Sequence, residues 1–371
     1  MKKISILHLS QVSGGGVEKY IKLFLKYSNN EKFDNYLVAP NLDNYKEYKI
    51  KKSFEFNTNQ SFSIIQLLKN VLFIRKIFKE IKPDIVYLHS TFAGVIGRLA
   101  AVGCNCKVVY NPHSWSFKMD ILSIKKLFYK SIEFFLSFFT DKYILISKSE
   151  YELAKNICFN NRKLEIIYNG IEINERHNEI KELSASLSGM YVIGMVGRIC
   201  EQKNPLFFVE FAKELYKLRK DIFFIIVGDG ELKKEIENKI VEYGMEDHFL
   251  ITGWVNNPKD YIELFDQAVL FSKWEGLCLS IAEYMLARKP ILATDIGGIN
   301  DLIQNNVTGL LINNFNLNDA VISSLKIREN EKLSYNISKN AYDLVINKFS
   351  IEKQMGNIEN LFFNMLEKEN E

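Results

Sequence analysis

Short apolar runs recur along this chain, and each is separated from the next by a longer stretch with helical spacing. Strands joined through helices cannot pair as hairpins. Each crossover must lie over a sheet face, so the strands run parallel and helices cover both sides. In the first half the expected strands are ISILHLS (4–10), NYLVAP (35–40), DIVYLH (84–89), KVVYNP (107–112) and KYILIS (142–147). Helical spacing fills Val17–Tyr27, Ile64–Ile81 and Ile124–Phe139, and IIYNG (166–170) closes the half. A second series opens with MYVIGMVGR (190–198) and continues through FFIIVGDG (223–230), HFLITGW (248–254), AVLFSK (268–273) and PILATD (290–295). The fold class is therefore α/β, with two Rossmann-like halves expected to face each other across a cleft. Ligands in such sheets bind at the carboxyl ends of the strands.

A chain of 371 residues exceeds one ordinary core and suits two domains. The boundaries expected are 1–175 for the first, 176–348 for the second and 349–371 for a terminal helix. Residues 171–190 are polar and weakly periodic, as a linker would be. KFSIEKQMGNIENLFFNMLEKE (348–369) carries Ile351, Met355, Ile358, Leu361, Phe362 and Met365 at steps of three or four, an amphipathic helix.

The opening apolar run is broken by His8, Ser10 and Gln11, so it is expected to be a buried strand and not a signal peptide. No stretch approaches the ~18–20 apolar residues of a membrane span. A cytoplasmic protein is expected. The five cysteines (Cys104, Cys106, Cys158, Cys200, Cys278) are scattered, and Cys104-x-Cys106 is too tight for a zinc pair. Charge is unevenly spread. Residues 1–170 hold 26 Lys and Arg against 14 Asp and Glu, and the rest of the chain holds 22 against 31. A basic first half suits an anionic partner such as a phosphorylated lipid, although a solvated surface would give the same count. No helix-turn-helix or stacking pattern accompanies the charge, so nucleic acid is not expected.

Charged and glycine-rich motifs cluster at strand ends. SKWEGLCLSIAEYMLARKP (272–290) places Glu275 in a loop and Glu283 eight residues on. At ~1.5 Å per helical residue that separation would be roughly 12 Å, about the span from a transferred sugar to the ribose of a folded nucleotide-sugar. Amides from Gly276 to Ser280, through Leu277, Cys278 and Leu279, would open the helix and attract a diphosphate. MVGRICEQKNP (195–205) puts Arg198 past a strand and Lys203 five residues later, two cations for a pyrophosphate. VGDGE (227–231) and ITGW (251–254) bring Gly228, Gly253 and Trp254 to adjacent strand ends, where glycines admit a flat base or make tight turns. SGGGVEKY (13–20) is a glycine-rich turn into a helix, with Gly15 and Gly16 offering amides, but it lacks the third glycine of G-x-G-x-x-G. NPHSW (111–115) places His113 at a strand's carboxyl end.

Taken together, GGGVE, NPHSW, LISKSE, YNGIE, GRICEQKNP, VGDGE, ITGWV, EGLCLSIAE and TDIGGINDLI resemble, in order and over almost the whole chain, the family 4 glycosyltransferases of the GT-B fold. The resemblance implies a retaining transfer from a nucleotide-sugar, most commonly a UDP-sugar with a GDP-sugar as the alternative, without a metal or other cofactor. It implies that Glu283 holds the ribose hydroxyls, Glu275 meets the transferred sugar and Arg198 with Lys203 holds the diphosphate. Gly15 and Gly16 would close over that diphosphate, and His113 would contact the sugar near the reaction centre. The last helix would cross back onto the first domain. The absence of an Asp-x-Asp motif agrees with metal independence. Cys278 and Tyr284 depart from the family, which more often has Pro or Gly and Ala there; both bear on donor identity.

LSIKKLFYKSIEFFLSFF (122–139) begins with Lys125, Lys126 and Lys130, suited to anionic headgroups. Its aromatic end, Phe134 to Phe139, leads straight into KYILIS and is expected in the core. Arg75, Lys76, Lys79 and Lys82 add charge on a second helix. The expected setting is the inner face of the cytoplasmic membrane, with a polyprenyl-diphosphate-linked saccharide as acceptor in surface polysaccharide or O-antigen assembly. An epimerase of the same fold, or an inactive binding subunit, would lack the full set of Glu275, Glu283, Arg198 and Lys203.

Overall fold

The computed structural model describes residues 3–56, 63–118, 123–173 and 180–367, excluding the side chain of Lys118. The chain divides into two compact units, Met1–Gly170 with Ile351–Glu371, and Ile171–Ser350.

The first unit holds seven strands: β1 Ile4–Leu9, β2 Phe33–Ala39, β3 Lys52–Glu55, β4 Ile85–His89, β5 Lys107–Asn111, β6 Lys142–Leu145 and β7 Leu164–Ile166. They form one parallel sheet in the order β3-β2-β1-β4-β5-β6-β7. The chain builds outward from β1 to β3, then returns to the other side of β1. That reversal leaves a crevice at the carboxyl ends of β1 and β4. The central strands are buried on both faces, which is why they read as continuous Val, Ile and Leu runs without alternation. Strand β3 (KSFE) is mostly exposed and has no apolar run to announce it.

Helices cover both faces. On one side Leu67, Val71, Ile74, Ile77 and Phe78 of helix Ile64–Ile81 pack with Ala93, Ile96 and Ala100 of helix Thr91–Ala101 over Leu7, Val86 and Val108. Gly97 permits this approach, because a Cβ there would lie 2.2 Å from Leu88. Arg98 is buried in this layer against Glu133, at 2.8 Å. The opposite face is covered by helices Gly15–Tyr27 and Ile351–Glu367, whose Ile351, Met355, Ile358, Phe362 and Met365 join Phe24, Phe33 and Tyr87. The C-terminal helix is thus part of the first unit's core. Gln354 also accepts the Gly170 N–H, beside the point where the chain leaves that unit.

The aromatic end of the lysine-rich helix lies differently from the sequence expectation. Helix Ser123–Leu136 and the turn Ser137–Phe139 leave Phe134, Phe135, Phe138 and Phe139 41–66% exposed. Ile124, Leu127 and Phe128 are exposed on the same helix, and Ile64, Ile65, Leu68 and Leu72 on helix Ile64–Ile81. Only Leu136 and Glu133 of helix Ser123–Leu136 are buried. Helical spacing marks an apolar face without saying whether it points inward, and here it points out. Leu122, the first residue of the lysine-rich stretch, lies outside the described residues.

The second unit holds β8 Tyr191–Val196, β9 Ile222–Val227, β10 Phe249–Ile251, β11 Gln267–Leu270, β12 Ile291–Thr294 and β13 Leu310–Ile312. All are parallel in the order β10-β9-β8-β11-β12-β13, so a second crevice opens between β8 and β11. The polar segment 171–190 includes a short helix, Lys181–Ser186, while 174–179 lie outside the described residues. No described helix is long and apolar enough to cross a membrane.

Candidate active site

In the second unit the two strands beside the crevice each end in a functional loop. After β8 the chain passes Gly197 and Arg198 into the turn Glu201–Lys203. After β11 it runs through Ser272 and Glu275 to helix Leu279–Leu286. Lys203 Nζ reaches Glu275 Oε1 at 2.7 Å, and both side chains are largely buried. Ser272 donates to the same oxygen at 2.8 Å, and Gln202 donates to Glu275 Oε2 at 3.3 Å and to the Trp274 carbonyl at 2.9 Å. The Lys273 N–H donates to the Gln202 carbonyl, which staples the loops together. Burial pulls the Lys203 pKa down, but the charge and hydrogen bond of the Glu275 carboxylate raise it above the ordinary lysine value. The site therefore holds a fixed ammonium.

Arg198 has a different setting. Its side chain is 72% exposed and meets Glu231 at 3.1 Å. The two cations expected from the spacing thus differ, one buried against Glu275 and one exposed and paired with Glu231. Helix Leu279–Leu286 starts only at Leu279, so half the eight-residue step between Glu275 and Glu283 is not helical, and a 12 Å rise does not apply. Glu275 and Glu283 are 6% and 9% exposed, with Glu283 in the helix's second turn. Gly276, Leu277 and Cys278 are buried ahead of the helix, while Leu279 is half-buried. Burial and the Glu275 carboxylate push the Cys278 thiol up to about 12, so it sits beside Lys203 as a neutral group. Tyr284, fully buried, accepts the Val196 N–H at 2.6 Å and ties this helix to the end of β8.

The glycines divide by role. A Cβ on Gly228 would stand 2.0 Å from the Gly197 carbonyl, and one on Gly230 2.3 Å from that of Ile199. Their small size serves the approach of two backbone segments. Gly253, at φ +69°, bridges to Gly228, and Trp254 beside it is 77% exposed. Gly298, passed over in the sequence reading, has φ +95° and would drive a Cβ to 2.4 Å from the Gly276 carbonyl. It backs the loop that carries Glu275. Ser272 and Gln202 were passed over too, since a lone hydroxyl and amide have no distinguishing spacing.

In the first unit Gly14 and Gly15 take φ of +85° and +69° at the start of helix Gly15–Tyr27, and nothing lies within 4 Å of a Cβ at Gly14, Gly15 or Gly16. The Gly14 N–H donates to Glu18 Oε2 at 2.6 Å. Burial pushes the Glu18 carboxyl up, but Lys22 and that N–H bring it below its ordinary value. His113 follows β5 with φ +57°; its N–H donates to Asn111 Oδ1 at 3.0 Å, and its Nε2 lies 3.1 Å from His89 Nδ1. Cysteines among the described residues are free, and no group of three metal-ligating side chains occurs there.

Residues 14–175 match the model of Glycosyltransferase Family 4, and residues 177–344 match Glycosyl transferases group 1. An Escherichia coli UDP-Gal:alpha-D-GlcNAc-diphosphoundecaprenol alpha-1,3-galactosyltransferase is 30% identical over 98% of both chains. The chain belongs to the family 4 glycosyltransferases. Another relative, the Escherichia coli O-antigen biosynthesis glycosyltransferase WbnH, is 32% identical over 71% of this chain and 70% of its own. Among solved structures, Anabaena HepE in complex with UDP and glucose superposes with a TM-score of 0.81 at 19% identity, covering 97% of this chain and 100% of that one. A Rickettsia africae glycosyltransferase gives 0.82 at 22%, covering 99% of each. These likenesses define the fold of this glycosyltransferase as GT-B.

Proposed function

We propose that this glycosyltransferase moves a sugar from a UDP-sugar, with retention of anomeric configuration and without a metal, onto a polyprenyl-diphosphate-linked saccharide during surface polysaccharide or O-antigen assembly. The observation that carries the reading is the Lys203–Glu275 pair at the β8–β11 crevice. A buried ammonium there can neutralise a diphosphate as the glycosidic bond breaks, since a preformed charge in a dry site costs no reorganisation. Arg198, exposed and paired with Glu231, supplies the second cation. Glu283 takes the ribose hydroxyls, Glu275 the transferred sugar, Gly15 and Gly16 offer amides to the diphosphate, and His113 meets a sugar hydroxyl. Gly228, Gly253 and Trp254 flank the base, while Gly276, Leu277, Cys278 and Leu279 form the wall ahead of the donor helix.

Glu275 is engaged by Lys203, Ser272 and Gln202, which suits an orienting group better than a nucleophile of a double displacement. In the step proposed, the bond from the anomeric carbon to the diphosphate breaks as the acceptor oxygen bonds to that carbon on the same face. The acceptor's proton passes to the departing phosphate oxygen. The acceptor assignment is supported by what the galactosyltransferase relative is named for, a diphosphoundecaprenol-linked GlcNAc. The exposed apolar stripe and the flanking Lys125, Lys126 and Lys130 support an anionic membrane surface as the setting.

Purified enzyme is offered UDP-galactose, UDP-glucose, UDP-N-acetylglucosamine and GDP-mannose with a synthetic GlcNAc-diphospholipid, with and without EDTA. One UDP-sugar is expected to give an α-linked product regardless of EDTA, and to raise the melting temperature of the wild type but not of Glu283→Ala. A β-linked product from an α-donor overturns retention, and loss in EDTA overturns metal independence. Conversion of the donor to an epimer without transfer would favour the epimerase, and silence toward every donor the inactive subunit.

A further inference from the structure

Three of the chain's five histidines are joined nitrogen to nitrogen inside the first unit. His8 lies on β1, His89 ends β4 and His113 follows β5. His8 and His89 are fully buried. His8 Nδ1 stands 3.2 Å from His89 Nε2, and His89 Nδ1 stands 3.1 Å from His113 Nε2. The rings stack, at 5.5 Å and 10° for the first pair and 5.3 Å and 27° for the second.

A neutral imidazole has one N–H and one bare nitrogen, so every hydrogen in such a chain must point the same way. The direction is set at the closed end. Asn35 donates its amide N–H to Ser28 Oγ at 2.9 Å, which leaves its carbonyl oxygen toward His8 Nε2 at 3.4 Å. An amide oxygen only accepts. His8 therefore carries its hydrogen on Nε2 and accepts at Nδ1 from His89 Nε2. His89 in turn accepts at Nδ1 from His113 Nε2. His113 is left with a bare Nδ1.

We propose that Asn35, His8 and His89 act as positioning residues that lock His113 in the Nε2–H tautomer, so that it offers substrate a hydrogen-bond acceptor at Nδ1. An acceptor nitrogen takes a hydroxyl's hydrogen and repels a phosphate oxygen, whereas the other tautomer would donate to either and so would not discriminate. The lock thus directs His113 to a sugar hydroxyl and away from the diphosphate, a consequence that rests on the function proposed above. The chain is not a proton exit, because Asn35 cannot receive a proton at its far end. Burial keeps the relay neutral: it lowers His8 to about 4 and His113 to about 3, and holds His89 well below its ordinary value. Tyr20 packs edge-on against His113 at 4.7 Å, so the ring has a wall on one side.

The test is the nitrogen NMR spectrum of histidine-labelled full-length enzyme at neutral pH. His113 is expected to show a protonated Nε2 and a bare Nδ1; a hydrogen on Nδ1 overturns the proposal. Asn35→Asp supplies the control. Its carboxylate favours a doubly protonated His8, which must donate from Nδ1 and so reverse the hydrogens of His89 and His113. In that variant His113 is expected to carry its hydrogen on Nδ1, with kcat/KM for transfer down about 10-fold, the loss of one hydrogen bond. A His113 that keeps its tautomer in the variant, or a reversed one with unchanged kcat/KM, overturns the coupling. Should Asn35→Asp not fold, the wild-type spectrum still decides. Should the wild type transfer nothing, the function fails while the tautomer stands or falls on its own spectrum.

Discussion

Lys203 and Glu275 illustrate what a buried ion pair does. Two charges are taken out of water, and each is tolerable only because the other is there. Lys203→Met is expected to destabilise the fold by about 3 kcal/mol, because it strands a buried carboxylate. The double variant with Glu275→Gln is expected to recover most of that loss while remaining inactive. Urea unfolding of the three proteins checks it, and equal stability of single and double variants would contradict the pairing. The histidines give a second residue-scale consequence. The His8 pKa is lowered from 6.5 to about 4 by burial, so the unfolded chain binds a proton that the folded chain refuses. Stability is complete above about pH 6.5 and is lost as the pH falls toward 4. At ~1.4 kcal/mol per pH unit, His8 alone accounts for roughly 3 kcal/mol, and His89 acts in the same direction. Melting temperatures measured from pH 7.5 to 4.5 should fall steeply for the wild type and less steeply for His8→Leu.

Among the elements, the C-terminal helix belongs to a core far from it in sequence. Phe362 is fully buried and lies 5.7 Å from the Tyr87 ring and 6.4 Å from that of Phe24. Phe362→Ala is expected to cost about 3–5 kcal/mol through lost contacts and a cavity. Phe363→Ala, one position round a helix whose neighbour is only half-buried, should cost much less. Denaturant midpoints of the two variants decide whether this helix is an integral layer or a loosely attached tail. Helix Ser123–Leu136 shows the converse, an apolar face left largely exposed among the described residues. Its position in the chain offered no clue to this, since the same spacing would serve a core helix.

For the whole molecule, the basic first 170 residues and the exposed stripe act together. In the membrane setting proposed above, positive charge would draw the protein toward an anionic surface and apolar side chains would then insert. Phe135→Glu with Leu127→Glu is expected to leave the melting temperature nearly unchanged, because both positions are exposed. Retention on vesicles containing anionic lipid should drop at least tenfold. Wild-type retention should also weaken as salt rises, since the attraction is screened beyond ~10 Å at 0.1 M. Binding that ignores both the substitutions and the salt would refute the membrane assignment.

The alternation of apolar runs and helical spacing pointed to two parallel sheets, because a helical crossover returns the chain to start the next strand in the same direction. Order along the chain also made the loops carrying Arg198, Lys203, Glu275 and His113 legible, since each follows a strand that is easy to recognise. The short strands β3, β7 and β13 were not legible: three or four residues at or near a sheet edge need little apolar sequence and borrow their order from a neighbour. Nor was the role of Gly228, whose missing side chain makes room for the Gly197 carbonyl thirty-one positions earlier. Sequence placed His8 as an interruption in an apolar strand. Only the register of β1 beside β4, and β4 beside β5, brings it to His89 and His89 to His113, across separations of 81 and 24 residues. Periodicity records which face of an element is apolar, so it determined the layers. What each face meets depends on residues far along the chain, and that the tertiary structure alone decided.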